Sequence, residues 1–585
     1  MKNIVYSLLL LLVSISCSEE FLKPEPLSFY SPENIFINRE GFESLLITLR
    51  KDLRQENTEQ KNFLAHQYAA SEIGVPWLQM DFRQLTPTTD QYQQFVNQIN
   101  TIFSIVKNSN TIISRIDNIT WEDESDRNEI LAEALWHRSY WYYRLIGNYG
   151  DLPFVAEEVT NAKLDYKTHS RWTILKKLQE DMEWAIQWLP QSAVKGAPTK
   201  GAGNHLLTKI YLANLEFDKA IDSATDVIDG PYSLMMNRFG QDKDEQLKNV
   251  IWDLHRPKNR NLEENTETIL AFIDRYEAPD GARSGGTYTM RVYNCSWWHT
   301  NNGKDSEGNR GFIDNGALYD SLGRGNPDVA LSDYHSYEIW KEYGNDYKNT
   351  PDLRRANINW YDVEELRYNN PNSVDYGKIW DKNNMDFPGE YWARFYAMPF
   401  YKTYVPNHPD QEGRPMGSNG DWYIYRLAET YLLRAEAYYW KGELALAADD
   451  INEVRKRAEA IPISPEVVTI DYIFDERARE LFLEEPRQNE LNRVSYILAK
   501  LNRDGYSLDN IHEKNWFFDR VISLNTFYLR ADEVSILGWH PYIEPHNFQW
   551  PIDDNLINAN TLGRINQNKG YVGSERNEPP LEVIE

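Results

Sequence analysis

The sequence predicts a mainly α protein: a tetratricopeptide-like scaffold of helical pairs carrying a loop-rich insert with short strands. Three observations predict it. Apolar residues recur at helical spacing through the first 235 residues and again over about 421–500. A pairing grammar of small Ala residues and aromatics occurs twice, far apart in the chain. Between the two, residues 240–420 lose periodicity and become rich in Gly, Asn, Asp, Tyr and Trp.

Taken in order, Pro24, Pro26 and Pro32 keep the start extended, and Ser31-Pro32 opens a helix running through Gly41–Leu46. Ile99, Ile102, Phe103, Val106 and Ile113 form one stripe of a helix over Asn97–Ile119. Arg127–Tyr149 is strongly periodic and stops at Gly150-Asp151-Leu152-Pro153. Trp172–Leu189 is amphipathic and closes at Pro190. Asn204–Asn214 and the Phe217, Ala220, Ile221, Ala224, Val227 stretch make the first pair. Tyr425–Trp440, a turn at Gly442 and Leu444–Ala458 make the second, with Ile473–Leu483 as a further neighbour. One pair cannot bury its own apolar face, so the pairs must stack. Within the insert, Thr287–Tyr293 reads as a short strand. A structureless stretch of that length is improbable in a compact domain, and loops on a rigid scaffold commonly carry binding.

The first sixteen residues have the form of a secretory signal: Lys2, an apolar Tyr6–Val13 core, then Ser14-Ile15-Ser16 before Cys17. That core is shorter than the roughly 20 residues a bilayer requires. In a chain with two cysteines, a cysteine at the cleavage point predicts a lipoprotein with Cys17 as the acylated residue. The alternative is an ordinary signal cut nearby. No later segment offers ~20 uninterrupted apolar residues. The net charge of −27 over 585 residues would repel phosphate backbones, which argues against nucleic acid, and is compatible with a neutral ligand.

The helices carry a family resemblance. Glu133–Tyr143 followed by Gly150–Pro153, Arg426–Ala437, Asn452–Ala458, Asp475–Leu481, and finally Trp550-Pro551-Ile552-Asp553 with Asn560 and Asn566–Tyr571 resemble the SusD/RagB family in the expected order. Glu484–Leu491 departs from it: Pro486 and Gln488-Asn489 stand where the family often has other residues, which puts local packing in question. The resemblance implies a signal peptide over 1–16, an N-terminal helical region over 17–235 and a C-terminal region over 236–585. It also implies a surface lipoprotein of the outer membrane, as in Bacteroidetes, with Ser18-Glu19-Glu20 similar to a surface-export signal. Such a protein binds glycan, caps a SusC-like TonB-dependent transporter, and uses no cofactor or catalytic group. Asp352-Leu353-Arg354 is then scaffold, with a structural ion pair.

A neutral glycan offers apolar ring faces and a rim of hydroxyls, so its site needs exposed aromatics beside short polar groups. Tyr293, Asn294, Trp297 and Trp298 form the best cluster, with Arg291 as a further polar contact. Trp77, with Glu72 in the stretch before it, is the second candidate, and Trp340, Trp360 and Tyr391-Trp392 are weaker ones. Cys295 and His299 lack partners for a zinc site, and Asp305–Asn309 lacks the glycine and closing glutamate of a calcium loop, although incidental calcium stays open. Two alternatives stay open for function: a secreted glycoside hydrolase, disfavoured because adjacent acids such as Asp449-Asp450 diverge on a helix, and a protein of the same family handling peptide or glycoprotein-derived cargo.

Overall fold

The computed structural model describes residues 32–60, 62–76, 82–88, 93–299, 303–384, 396–529 and 541–584. Cys17, Trp77 and Tyr391-Trp392 lie outside them. Helices dominate, as the sequence predicts. After a single turn at Pro32–Ile35, the helices before the insert are α1 (Arg39–Asp52), α2 (Phe63–Ala69), α3 (Gln93–Arg115), α4 (Glu124–Tyr149), α5 (Arg171–Ala185), α6 (Lys200–Ala213) and α7 (Phe217–Ile228). After the insert come α8 (Leu427–Lys441), α9 (Leu444–Arg457), α10 (Ile470–Leu481), α11 (Arg487–Lys500) and α12 (Trp516–Leu524).

Local chemistry sets the boundaries. Asn38, Asp123, Ser170, Thr199 and Thr469 each accept a first-turn amide through the side chain, capping α1, α4, α5, α6 and α10. The predicted stop of α4 at Gly150 is observed.

Each of α3 to α7 packs on the next, and α7 packs on α8, which pairs with α9. The two Ala-rich pairs, separated by some 200 residues of sequence, therefore form one continuous stack. Ala213, Ala220, Ala428, Ala435 and Ala448 are buried at these contacts. Helix α11 crosses the stack, touching α2, α4 and α6.

Among the described residues there are three two-stranded antiparallel sheets, two tying the insert to this body and one within the insert. Strand β1 (Gly74–Pro76) pairs with β3 (Val329–Leu331), β2 (Thr268–Phe272) with β6 (Trp422–Arg426), and β4 (Tyr361–Asp362) with β5 (Ala397–Met398). Two local readings are corrected. Thr287–Tyr293 is no strand: Tyr288 takes a left-handed φ of 54° and a short helix, Thr289–Val292, follows. Tyr425 is not in a helix either. It lies in β6, because the Trp422–Arg426 run is buried throughout and pairs with β2, and α8 begins at Leu427.

A buried ionic network joins insert and stack. Arg354 pairs with Asp352 at 2.7 Å, as the Asp-Leu-Arg signature implies, and also reaches Glu476 at 2.8 Å and Glu480 at 3.1 Å. Arg426 and Arg457 converge on the same Glu480 and on Glu267. The departing segment at 484–491 packs by polar contacts of its own. Gln488 accepts from the Trp550 indole at 3.0 Å, and Asn489 accepts from Arg144 at 2.7 Å. The chain end is latched by Asn568, which donates to the carbonyls of Tyr149 and Trp550. Among the described residues, no helix is long and apolar enough to cross a membrane.

Candidate functional site

The aromatic cluster sits where three segments of the insert meet. Thr287 and Tyr288 donate backbone amides to Ser418 and Gly417, Arg291 donates to Met416 at 2.9 Å, and Arg324 donates to Pro415 at 2.7 Å. Asn326 closes the set by donating to the Arg291 carbonyl at 3.0 Å. Gly325 lets the segments approach: a Cβ there would lie 2.3 Å from the Asn294 carbonyl oxygen.

This clamp divides the cluster. Trp297 is 0 % exposed, with Phe312 edge-on at 5.4 Å and Tyr319 at 6.2 Å. Tyr293 is buried against Phe482. Asn294 is buried and donates to the Leu322 carbonyl at 2.8 Å. These three side chains are part of the packing under the site, because a fold that buries their rings and amide leaves no face for a ligand. Trp298 differs. It is half-buried, its indole N–H is fixed on the Gly325 carbonyl at 2.7 Å, and the Arg324 guanidinium lies 4.8 Å from its ring centre. His299 beside it is exposed, and Tyr319 lies 6.5 Å away. Adjacent residues on a non-helical stretch point apart, so one tryptophan anchors the loop and the next borders solvent.

Glu72 is also internal. It is 0 % exposed, pairs with Arg487, and accepts from Arg520 at 2.9 Å. Burial opposes its ionisation, but the two guanidinium groups outweigh that and hold its carboxyl at about 2. Its position is that of a buried strut, not of a hydroxyl acceptor on a surface. Trp340 and Trp360 are core residues as well, edge to face at 6.0 Å, each donating its indole N–H to a backbone carbonyl.

The possible calcium loop is a closed turn. The Asp305 carboxylate accepts from the amides of Glu307 and Asn309 and from the Ser373 hydroxyl. Among the described residues, no group of three or more His, Cys, Asp or Glu side chains converges as metal ligands would. A separate cavity of about 220 Å³ lies between α3 and the chain end, walled by Phe103, Val106, Val155, Tyr166, Leu556 and Ile565. It is apolar and lies on other elements than the Trp298 rim.

Sequence reasoning passed over Arg324, which lies against the Trp298 ring, and Arg414, which acts with it on Tyr319. The available signal was Gly323-Arg324-Gly325, a basic side chain between two residues that allow close backbone approach.

The chain is a helical stack carrying an aromatic-bearing insert, and comparison with known proteins places it. Residues 248–571 match the model of the SusD family, and residues 28–212 match one described as starch-binding associating with outer membrane. The chain belongs to the SusD family. A SusD-like protein P25 from Formosa agariphila is 21% identical over 532 residues, covering 85% of this chain and 90% of that one. The starch-binding protein SusD of Bacteroides thetaiotaomicron is 46% identical over 70 residues, 12% of each chain. Among solved structures, a laminarin binding SusD-like protein superposes with a TM-score of 0.63 at 17% identity, covering 92% of this chain and all of that one.

Proposed function

We propose that the protein captures oligosaccharide at the outer cell surface and passes it, unbroken, to a SusC-like TonB-dependent transporter. On this reading Cys17 carries the lipid, the helical stack is rigid support, and the Trp298 rim meets the sugar. The observation that carries it is the split of the tryptophan pair. Trp297 is locked inside while Trp298, fixed by its own N–H, borders solvent in a clamp of three segments. A pre-positioned ring is what a sugar's apolar face requires, since little ordering remains to oppose binding. The starch and laminarin in the relatives' names support saccharide as the ligand.

The test is affinity electrophoresis of the full chain through gels containing plant, host and microbial glycans. Retardation by at least one glycan is expected, and Trp298→Ala should weaken it about tenfold, the order of one aromatic contact. Trp297→Ala should instead lower stability. Release of reducing ends by the purified protein would establish a hydrolase and overturn the proposal.

A further inference from the structure

Charge at the Trp298 rim runs against the charge of the chain. The protein as a whole carries −27, yet Arg324 and Arg291 act on one another here, Arg414 acts with Arg324 on Tyr319, and none of the three forms an ion pair among the described residues. Arg324 lies against the Trp298 ring. Arg414 adjoins Pro415, whose carbonyl accepts from the Arg324 amide. Arg291 is tied to both neighbouring segments through Met416 and Asn326. With its amide turned so that oxygen faces the guanidinium, Asn326 accepts from both Nη atoms of Arg291 at 2.9 Å.

Three acids stand near this group, and among the described residues none is in ion-pair contact with it. Asp314 is bound to Arg310 at 2.9 Å and also feels the Arg414 charge. Asp328 acts on Arg291 from beyond ion-pair distance. Asp320 acts on Tyr319, and Tyr319 also feels Arg324 and Arg414. Burial, then the Arg324 charge, lowers the Arg291 pKa, while Asp328 and Tyr288 act the other way. The Arg291 and Arg324 charges repel one another, and the buried Arg324 Nε has no hydrogen-bond partner among the described residues, so an oxyanion beside Arg324 would meet both needs. The guanidinium fork matches carboxylate and sulfate geometry with two parallel hydrogen bonds. An aromatic face beside it matches a sugar ring.

We infer that the Trp298 rim takes an acidic glycan, the ring of one sugar lying on Trp298 and its oxyanion held by Arg324, with Arg291 and Arg414 at the flanks. This rests on the saccharide-binding role proposed for Trp298. The global negative charge does not forbid it, because exposed charges more than about 8 Å away are largely screened at physiological salt.

The test is calorimetric titration of the full chain with matched probes: oligogalacturonate and its methyl ester, a sulfated galactan oligomer and its unsulfated counterpart, and a laminari-oligosaccharide. At least one acidic member should bind about tenfold more tightly than its neutral partner, with affinity falling as salt rises. Preference for the carboxylate pair or for the sulfate pair identifies the oxyanion. Arg324→Gln should abolish the preference and Arg324→Lys restore part of it, both with unchanged melting temperature. Neutral glycans bound as tightly as acidic ones, or a preference that survives Arg324→Gln, would overturn the inference and leave the capture role standing. No binding to any probe or to the electrophoresis panel would overturn both.

Discussion

At the scale of single residues, burial decides whether a polar or aromatic side chain supports the fold or meets a partner. Glu72 shows the first case. It is enclosed by Arg487 and Arg520, which have further acids of their own in Glu485, Asp471 and Asp475. Removing its charge leaves those cations under-compensated in a low-dielectric setting, so Glu72→Gln should cost about 3–5 kcal/mol. Urea unfolding followed by tryptophan fluorescence measures it. An unchanged midpoint combined with lost glycan retention would make Glu72 a ligand group instead. Sequence could not separate Trp297 from Trp298, because both stand in one aperiodic stretch and burial there is set by Phe312, Tyr319 and Gly325, which are distant in the chain. Arg324 and Arg414 are not legible in the sequence for the same reason, whereas Arg291 is. Their meaning comes from the carboxylates they do not touch, and that is a property of three-dimensional neighbours.

At the scale of elements, periodicity was a reliable guide wherever one face of a helix is apolar and the other wet. Helices α5 and α7 fall close to their expected spans because one face is apolar and the other wet, while α4 and α6, buried on nearly every side, are delimited by their caps at Asp123 and Thr199. The expected start of α8 at Tyr425 lies two residues early, inside the aromatic strand: the Trp422–Arg426 run is buried throughout, and a fully buried run has no period to read. Thr287–Tyr293 has strand propensity, but a left-handed Tyr288 and a clamp from Gly417 and Ser418 outweigh it and a short helix forms. The α8–α9 hairpin turns at Gly442, with φ +80° and open space where a Cβ would stand. Gly442→Ala therefore tests the backbone alone. It should cost about 1 kcal/mol, seen as a lower urea midpoint and faster amide exchange in the last turn of α8. A neutral outcome would show that the turn relaxes out of the left-handed region at no cost.

At the scale of the whole molecule, the insert and the stack are held together by charge as much as by apolar packing, and this makes stability depend on pH in a definite direction. Burial opposes ionisation of Glu476 and Glu490. Arg354, Arg455 and Arg479 around the first, and Lys209, Arg493 and Arg477 around the second, outweigh it and hold each carboxyl at about 2, against 4.5 for an ordinary glutamate. A depressed carboxylate contributes stability that is complete above pH 4.5 and is lost as pH falls toward 2. His335 acts earlier. Burial holds it neutral, lowering its pKa from 6.5 to about 3, while its Nε2 lies 3.0 Å from the Ala478 carbonyl oxygen. Between those two values the unfolded chain takes up a proton that the folded chain refuses, so stability falls as pH drops from 6.5. The urea midpoint should hold steady near neutrality, decline below pH 6.5, and decline more steeply below 4.5 as the glutamates join. His335→Gln, which keeps a donor for Ala478 and cannot titrate, should remove about 1.4 kcal/mol per pH unit from the first decline and leave the second intact. A variant with the parent's slope between pH 6.5 and 4.5 would show that the early loss arises at other histidines and that His335 is not the group linking insert to stack through its charge state.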